Sequence, residues 1–473
     1  MSEFNRRDFL KISGAGAIAA AIPLSADAAR VPAPKGAVRA WVTNANQKHA
    51  ALPELRWESA KRGVDSVVVD AATEYQSMLG VGAAFTDAAC YNFSRLDAKA
   101  RADLFHTLFH PSELGLSVSR ICIGASDYSR NVYSYCEGAE PDPELTRFSI
   151  EHDRAYILPI LREARAVNPD LWLLGSPWSP PAWMKFNRSM LGGCMRNKWL
   201  GAYAKYFERF LDAYAAEGVP VQSVTPQNEV DTDQDGKMPA CVWPQEYEIA
   251  FVRDHLGPRM QNAKHPADIW ILDHNYNLWG RVLCELDDEQ ARKYVKGVAW
   301  HGYVGSPDAM TRVQQAHPKL DQFWTEGGPD YERPGYATEW AKWATQFTGI
   351  LRNRARCIIA WNYALDETGK PNIGPFQCAG LVTVHSQTNA VTYSGQYWAM
   401  EHFARHIRRG AKILGSSGDI KNLTHVAARN TDGTYSIVLT NSGTTEQRTQ
   451  VKVGSAAVQV NVAPDSIVTL SWS

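Results

Sequence analysis

Two glutamates stand where a pair of carboxylates can work on one substrate. The β-rich run 222–227 leads into Asn228-Glu229, and the run 322–325 leads into Glu326-Gly327-Gly328. Cutting a glycosidic bond needs two such groups: one protonates the departing oxygen, and the other attacks the anomeric carbon or directs water at it. Asn228, directly before Glu229, offers an amide to a sugar 2-hydroxyl, a contact that strengthens as the oxocarbenium ion develops. The chain carries 16 Trp and 19 Tyr. Most large aromatics belong to cores, but the apolar face of a sugar ring also packs flat on an indole.

Such a pair needs a scaffold that aims both carboxylates at one point. Eight short apolar runs recur, at 79–86, 116–123, 171–176, 222–227, 269–273, 297–301, 322–325 and 357–362. Amphipathic stretches separate them. In 197–217, Trp199, Tyr203, Tyr206, Phe207, Phe210 and Tyr214 recur at helical spacing, and Gly218 and Pro220 end the pattern. Residues 153–167 and 97–108 read as two further helices. Strand and helix alternating eight times predict an α/β fold, a closed parallel (β/α)8 barrel, with reactive groups at the C-terminal strand ends. Glu229 and Glu326 sit at the ends of the fourth and seventh strands. The flanks break the alternation. Residues 38–42 and 65–70 read as strands before the barrel, and 435–441, 449–453 and 466–472 read as strands after it. Neither flank has enough strands to close a core, so one all-β sandwich built from both is expected beside the barrel. The expected divisions are 1–28 leader, 36–78 N-terminal sandwich strands, 79–405 barrel and 406–473 C-terminal sandwich.

The leader reads as a twin-arginine export signal. Asn5-Arg6-Arg7-Asp8-Phe9-Leu10-Lys11 precedes a mildly apolar stretch and the small-x-small site Ala26-Asp27-Ala28. It predicts a periplasmic or extracellular protein, with no transmembrane segment. A net charge of −1 gives no basic face for nucleic acid or an anionic membrane. The eight Cys show no zinc-like spacing and no readable pairing. His274, at the end of the fifth strand, lacks the His-x-His partner that barrel-top metal sites place on the first strand, so no metal and no cofactor are expected. Asp231, Asp233 and Asp235 read as a solvated loop, Trp183 as core, and Asp87 equally as a helix cap or a substrate contact.

In family order, from about residue 79 to about 410, several stretches resemble glycoside hydrolase family 30, and within it the glucosylceramidases. They are Gly80-Val81-Gly82-Ala83-Ala84-Phe85-Thr86-Asp87, Ser119-Arg120-Ile121, Ser126-Asp127-Tyr128-Ser129, Ser176-Pro177-Trp178-Ser179-Pro180-Pro181-Ala182-Trp183-Met184-Lys185, 225–229, His301-Gly302-Tyr303, Thr325-Glu326 and Ala360-Trp361-Asn362. The resemblance implies a retaining β-glycosidase with Glu229 as acid/base, kept protonated by its surroundings, and Glu326 as nucleophile. Their carboxylates would stand about 5–5.5 Å apart. It implies that Asp127, Trp178, Asn228 and Trp361 line a glucose subsite. Arg120 and Tyr303 would hydrogen-bond near the nucleophile, and His301 would support the site. The implied substrate is a β-glucoside glycolipid of the glucosylceramide type. The alternatives are a β-1,6-glucan or another β-linked saccharide (xyloside or fucoside), and a carbohydrate-binding protein without catalysis. Three departures weaken the lipid reading: Val230 where Pro often follows the acid/base, Gly302 where Trp can stand, which is expected to open the mouth near Tyr303, and the loop 187–198.

Overall fold

The computed structural model describes residue 34 and residues 36–333 and 335–473; the leader lies outside them. Eight parallel strands close into a barrel: Gly80–Phe85, Val118–Cys122, Trp172–Ser176, Ser223–Val224, Asp268–Asn275, Val295–His301, Asp321–Glu326 and Ala355–Ala360. Each coincides with one of the eight apolar runs. These strands are buried on both faces, by side chains inside and helices outside, so they read as unbroken apolar stretches rather than alternating ones. The helix Leu200–Ala216 packs Tyr203, Tyr206, Phe207, Phe210 and Tyr214 inward. Gly218 then takes φ 75°, which a side chain would resist. The helix expected over 153–167 is broken into Glu151–Arg154 and Ile157–Val167. Pro159 explains the break: its ring is tolerated in a first turn but clashes with the carbonyl four residues earlier.

Beside the barrel, ten strands form one sheet around a second apolar core that includes Val38, Val67, Leu439, Val460 and Trp472. Both flanks contribute. Ala37–Thr43 pairs with Ser466–Trp472, and Ser66–Ser77 lies between Lys412–Ser417 and Gln447–Val453. The strand Ala50–Arg56 was not legible, because it is half-exposed and contains Pro53. Where the sandwich meets the last barrel helix, His49, His402 and His406 pack together, with His49 Nε2 2.9 Å from His406 Nε2. Among the described residues no helix is long and apolar enough to cross a membrane.

Candidate active site

Glu229 and Glu326 meet at the C-terminal mouth of the barrel. Glu326 ends the seventh strand. Glu229 follows the short fourth strand, where the chain has left regular geometry: its φ is 53°, and its N–H donates to the Asp273 carbonyl of the fifth strand at 3.0 Å. That strand is itself turned, with Leu272 at φ 74° and Asp273 at φ 49°. Left-handed non-glycine residues cost of order 1–3 kcal/mol each and persist only where the surroundings enforce them. Here the buried Glu248 carboxylate accepts the Leu272 N–H at 2.9 Å, and Arg281 holds Glu248 at 2.9 Å. The turn swings the Asp273 carboxylate into the barrel.

Asp273 is the hub that sequence reasoning missed. Its Oδ2 accepts from Arg120 Nη2 (2.7 Å), Ser176 (2.8 Å) and Thr225 (2.7 Å), and its Oδ1 from Thr325 (2.8 Å) and His301 Nε2 (3.1 Å). Burial pushes this carboxyl up, but Arg120 and His301 outweigh that and hold it far below the usual range. Arg120, fully buried, then reaches both sides of the site. It bonds Glu326 Oε2 through Nη1 and the Asn228 side-chain oxygen through Nη2 at 2.6 Å, and it stacks 4.6 Å over the Trp178 ring. Tyr303 donates its hydroxyl to Glu326 Oε1 at 3.0 Å. The Asn228 oxygen is thereby occupied, which leaves its amide nitrogen to face the cavity.

His301 stands between the two glutamates, with Nδ1 3.4 Å from Glu229 Oε1 and Nε2 3.6 Å from Glu326 Oε2. Burial pushes its pKa down, but Glu326, Asp273 and Glu229 lift it to about 9, so it carries a proton at neutral pH. His274 Nδ1 lies 3.5 Å from the same Glu229 oxygen, and Gln234 donates to Glu229 Oε2 at 2.8 Å. Burial pushes the Glu229 carboxyl up, yet the two imidazoles and the Gln234 amide hold it below its ordinary value. This corrects the expectation that its neighbours keep Glu229 protonated: the groups that face it are donors and favour the carboxylate.

A cavity of about 470 Å³ opens here, within the usual range for a small-ligand site. Asp127, Trp178, Asn228, Glu229, Tyr303, Glu326 and Trp361 all line it. Arg120 and His301 lie in the wall behind, fully buried. Trp178 and Trp361 stack with centroids 5.1 Å apart. Asp127 is buried with Oδ1 unpaired, and burial together with Glu326 and Glu229 raises its pKa well above the carboxylate range. A ligand hydroxyl would satisfy that oxygen.

Other expectations divide. Thr86, rather than Asp87, caps the first barrel helix, accepting from Ala89 N at 3.0 Å. Asp87 instead binds His152 at 2.7 Å and Tyr156 at 2.8 Å and does not line the cavity. Trp183 is core and donates to the Cys136 carbonyl at 3.0 Å. Gly302 does not open the mouth. A Cβ there would lie 2.6 Å from Gln346 Nε2 and 2.8 Å from Trp324 Cζ2, so the space beside it is already filled. Asp231 leaves the solvated loop to pair with His274 at 2.6 Å. Glu229, His274 and His301 place one ligand atom each within 4.8 Å of one another. Binding a metal there would require His301 to give up its proton, and Glu326, Asp273 and Glu229 favour the protonated ring.

The sequence profile for the glycosyl hydrolase family 30 TIM-barrel domain matches residues 78–407, and that for the family 30 beta sandwich domain matches 410–470. A twin-arginine translocation signal matches residues 3–23, so the chain is exported by that pathway. An endo-1,6-beta-D-glucanase of Neurospora crassa is 32% identical over 414 residues, spanning 83% of this chain and 85% of that protein. A putative glucosylceramidase of Caenorhabditis elegans is 28% identical over 465 residues, spanning 91% and 88%. A solved endo-β1,6-glucanase superimposes with a TM-score of 0.84 at 27% identity, covering 93% of this chain and 100% of that one. From the closed barrel through the adjoining sandwich, the chain belongs to glycoside hydrolase family 30, and it is a glycosidase.

Proposed function

We propose that this glycosidase hydrolyses β-1,6-linked glucan with net retention. Glu326 attacks the anomeric carbon while Glu229 protonates the departing oxygen. A glucosyl-enzyme forms, and Glu229 then deprotonates the incoming water. Arg120 and Tyr303 orient the nucleophile through the two bonds described above. Trp178 and Trp361 border the pocket that takes the glucose, and Asp127 and the Asn228 amide offer it polar partners.

The observation that carries the substrate class is the lining on the Glu229 side, where the leaving group departs. Asp231, Thr232, Gln234 and His274 meet the cavity there, and Asn275 and Asn277 line it as well. These polar groups suit the hydroxyls of a sugar acceptor better than two alkyl chains. The similarity to 1,6-β-glucanases supports the same choice over the glucosylceramide reading with which the sequence analysis led. Glucosylceramide stays the second reading, on one observation: Val304 and Phe376, 51% and 43% exposed, put apolar surface at the rim.

The test is turnover of the purified mature protein on β-1,6-glucan, on gentiobiose and on glucosylceramide in detergent, with Glu326→Gln as the control. Cleavage of the two saccharides, abolished by the substitution, supports the proposal. Cleavage of the glycolipid alone replaces it with the second reading.

A further inference from the structure

Two aspartate–histidine pairs converge on one oxygen. Glu229 Oε1 lies 3.4 Å from His301 Nδ1 and 3.5 Å from His274 Nδ1. The far nitrogen of each ring is held by a carboxylate: His301 Nε2 by Asp273 at 3.1 Å, and His274 Nε2 by Asp231 at 2.6 Å. The pairs differ in access. Asp273 is fully buried, whereas the Asp231 side chain is 43% exposed. His274 Nδ1 is buried and has no hydrogen-bond partner. A buried unpaired nitrogen aimed at a carboxylate is costly to leave idle.

We propose that Asp231 and His274 form a proton-holding arm of Glu229, open to solvent, which shares the acid proton and sets the pH range over which Glu229 can donate it. This rests on Glu229 being the acid/base. Asp231 keeps a hydrogen on His274 Nε2, so the mobile proton has two seats on the Glu229 side of the ring. It sits on Nδ1, with Glu229 a carboxylate, or on Glu229 Oε1, with the ring neutral and Nδ1 accepting. Passing between them breaks one N–H bond, forms one O–H bond and cancels the charges on ring and carboxylate. Nothing else is consumed. The 3.5 Å gap of the free enzyme must close for the transfer, as acid–base contacts commonly do when substrate binds.

The charged groups around His274 are few. Glu229 and Asp231 face it from the loop after the fourth strand and His301 from the sixth strand, Asp273 precedes it on its own strand, and Arg281 acts on Asp231. Two groups sharing one proton hold it to higher pH than either does alone. Removing His274 therefore lowers the apparent pKa of the alkaline limb.

The experiment is the pH profile of kcat/KM on gentiobiose for the parent, His274→Gln and Asp231→Asn. The expected result is an alkaline limb moved to lower pH by about one unit in His274→Gln, and by less in Asp231→Asn. On 2,4-dinitrophenyl β-glucoside, whose leaving group needs no proton, the alkaline limb of glucosyl-enzyme formation is expected at the same pH in all three proteins, whatever their absolute rates, and thermal melting verifies that the variants fold. Profiles merely scaled down, with both limbs in place, overturn the proposal and leave His274 a structural residue. Glu229→Gln separates the two layers. If it loses gentiobiose turnover while His274→Gln keeps the parental limb, only the proton-holding arm fails. If it keeps parental turnover on gentiobiose, the acid/base reading fails as well.

Discussion

Replacing Asp273 by Asn strikes the charge on which both glutamates depend. The carboxylate accepts hydrogen bonds from Arg120, Ser176 and Thr225 on one oxygen and from His301 and Thr325 on the other. An amide keeps one oxygen and puts an NH2 where the second stood. Turned one way, it faces Arg120 and two hydroxyls; turned the other, it faces His301 and Thr325. Hydroxyls can rotate, but the guanidinium and the protonated ring cannot become acceptors. Breaking a buried pair by removing one partner costs about 3–5 kcal/mol, because the surviving charge stays buried. The Asp273 carboxyl is depressed in the folded state, so its contribution is fully present above about pH 4, the unfolded value, and fades as pH falls toward the folded one. Arg120 then leans toward Glu326 and releases Asn228. A misplacement of that kind costs on the order of 10²-fold in rate. His301, held at about 9 in part by Asp273, falls as well. Denaturant unfolding at pH 7 and kcat/KM on gentiobiose measure the two effects. A variant within about 0.5 kcal/mol of the parent, the range of ordinary surface substitutions, with parental kcat/KM, would refute the hub.

Tyr303→Phe removes one bond to Glu326 and is expected to lower kcat/KM by roughly 10- to 150-fold, from the ~1.5–3 kcal/mol of a hydrogen bond to a charged group; a change under twofold would contradict that role. Trp178→Ala is expected to raise KM for gentiobiose and to loosen Arg120, which rests on its ring, so kcat falls too; kinetics that leave both unchanged contradict the platform. The histidine cluster at the sandwich–barrel junction predicts acid lability. Burial first, then Arg405, lowers His49 from 6.5 to about 4. A group with a depressed histidine pKa is neutral when folded, so its stability is present above about pH 6.5 and lost as pH falls toward 4, by about 3 kcal/mol for His49. Melting temperatures between pH 7 and 4.5 test it, and His49→Gln is expected to flatten the dependence. Dialysis against a chelator is expected to leave activity unchanged; restoration of a lost rate by a divalent cation would contradict the metal-free reading.

The barrel was legible because each strand is a short apolar run that one pattern describes. The two glutamates were legible because the barrel rule names strand ends. Asp273 fell within a recognised run, 269–273, but its role depends on left-handed backbone at Leu272 and Asp273, which side-chain type does not announce. The rule that exposed Glu229 would have found it if applied to every strand end. The state of Glu229 was misread because it depends on which groups face it. Asp231 and Gln234 come from the loop after the fourth strand, His274 from the fifth strand and His301 from the sixth, and only the folded chain shows them around one carboxylate. Gly302 was read as a space because a missing side chain looks like one, whereas Trp324 and Gln346 already fill it.

The most direct test of double displacement at this site is to trap the covalent intermediate. The protein is incubated with 2,4-dinitrophenyl 2-deoxy-2-fluoro-β-glucoside, digested, and the labelled peptide sequenced by mass spectrometry. The expected result is a single fluoroglucosyl label on Glu326. A label on another residue, or none from protein that turns over gentiobiose, would contradict it.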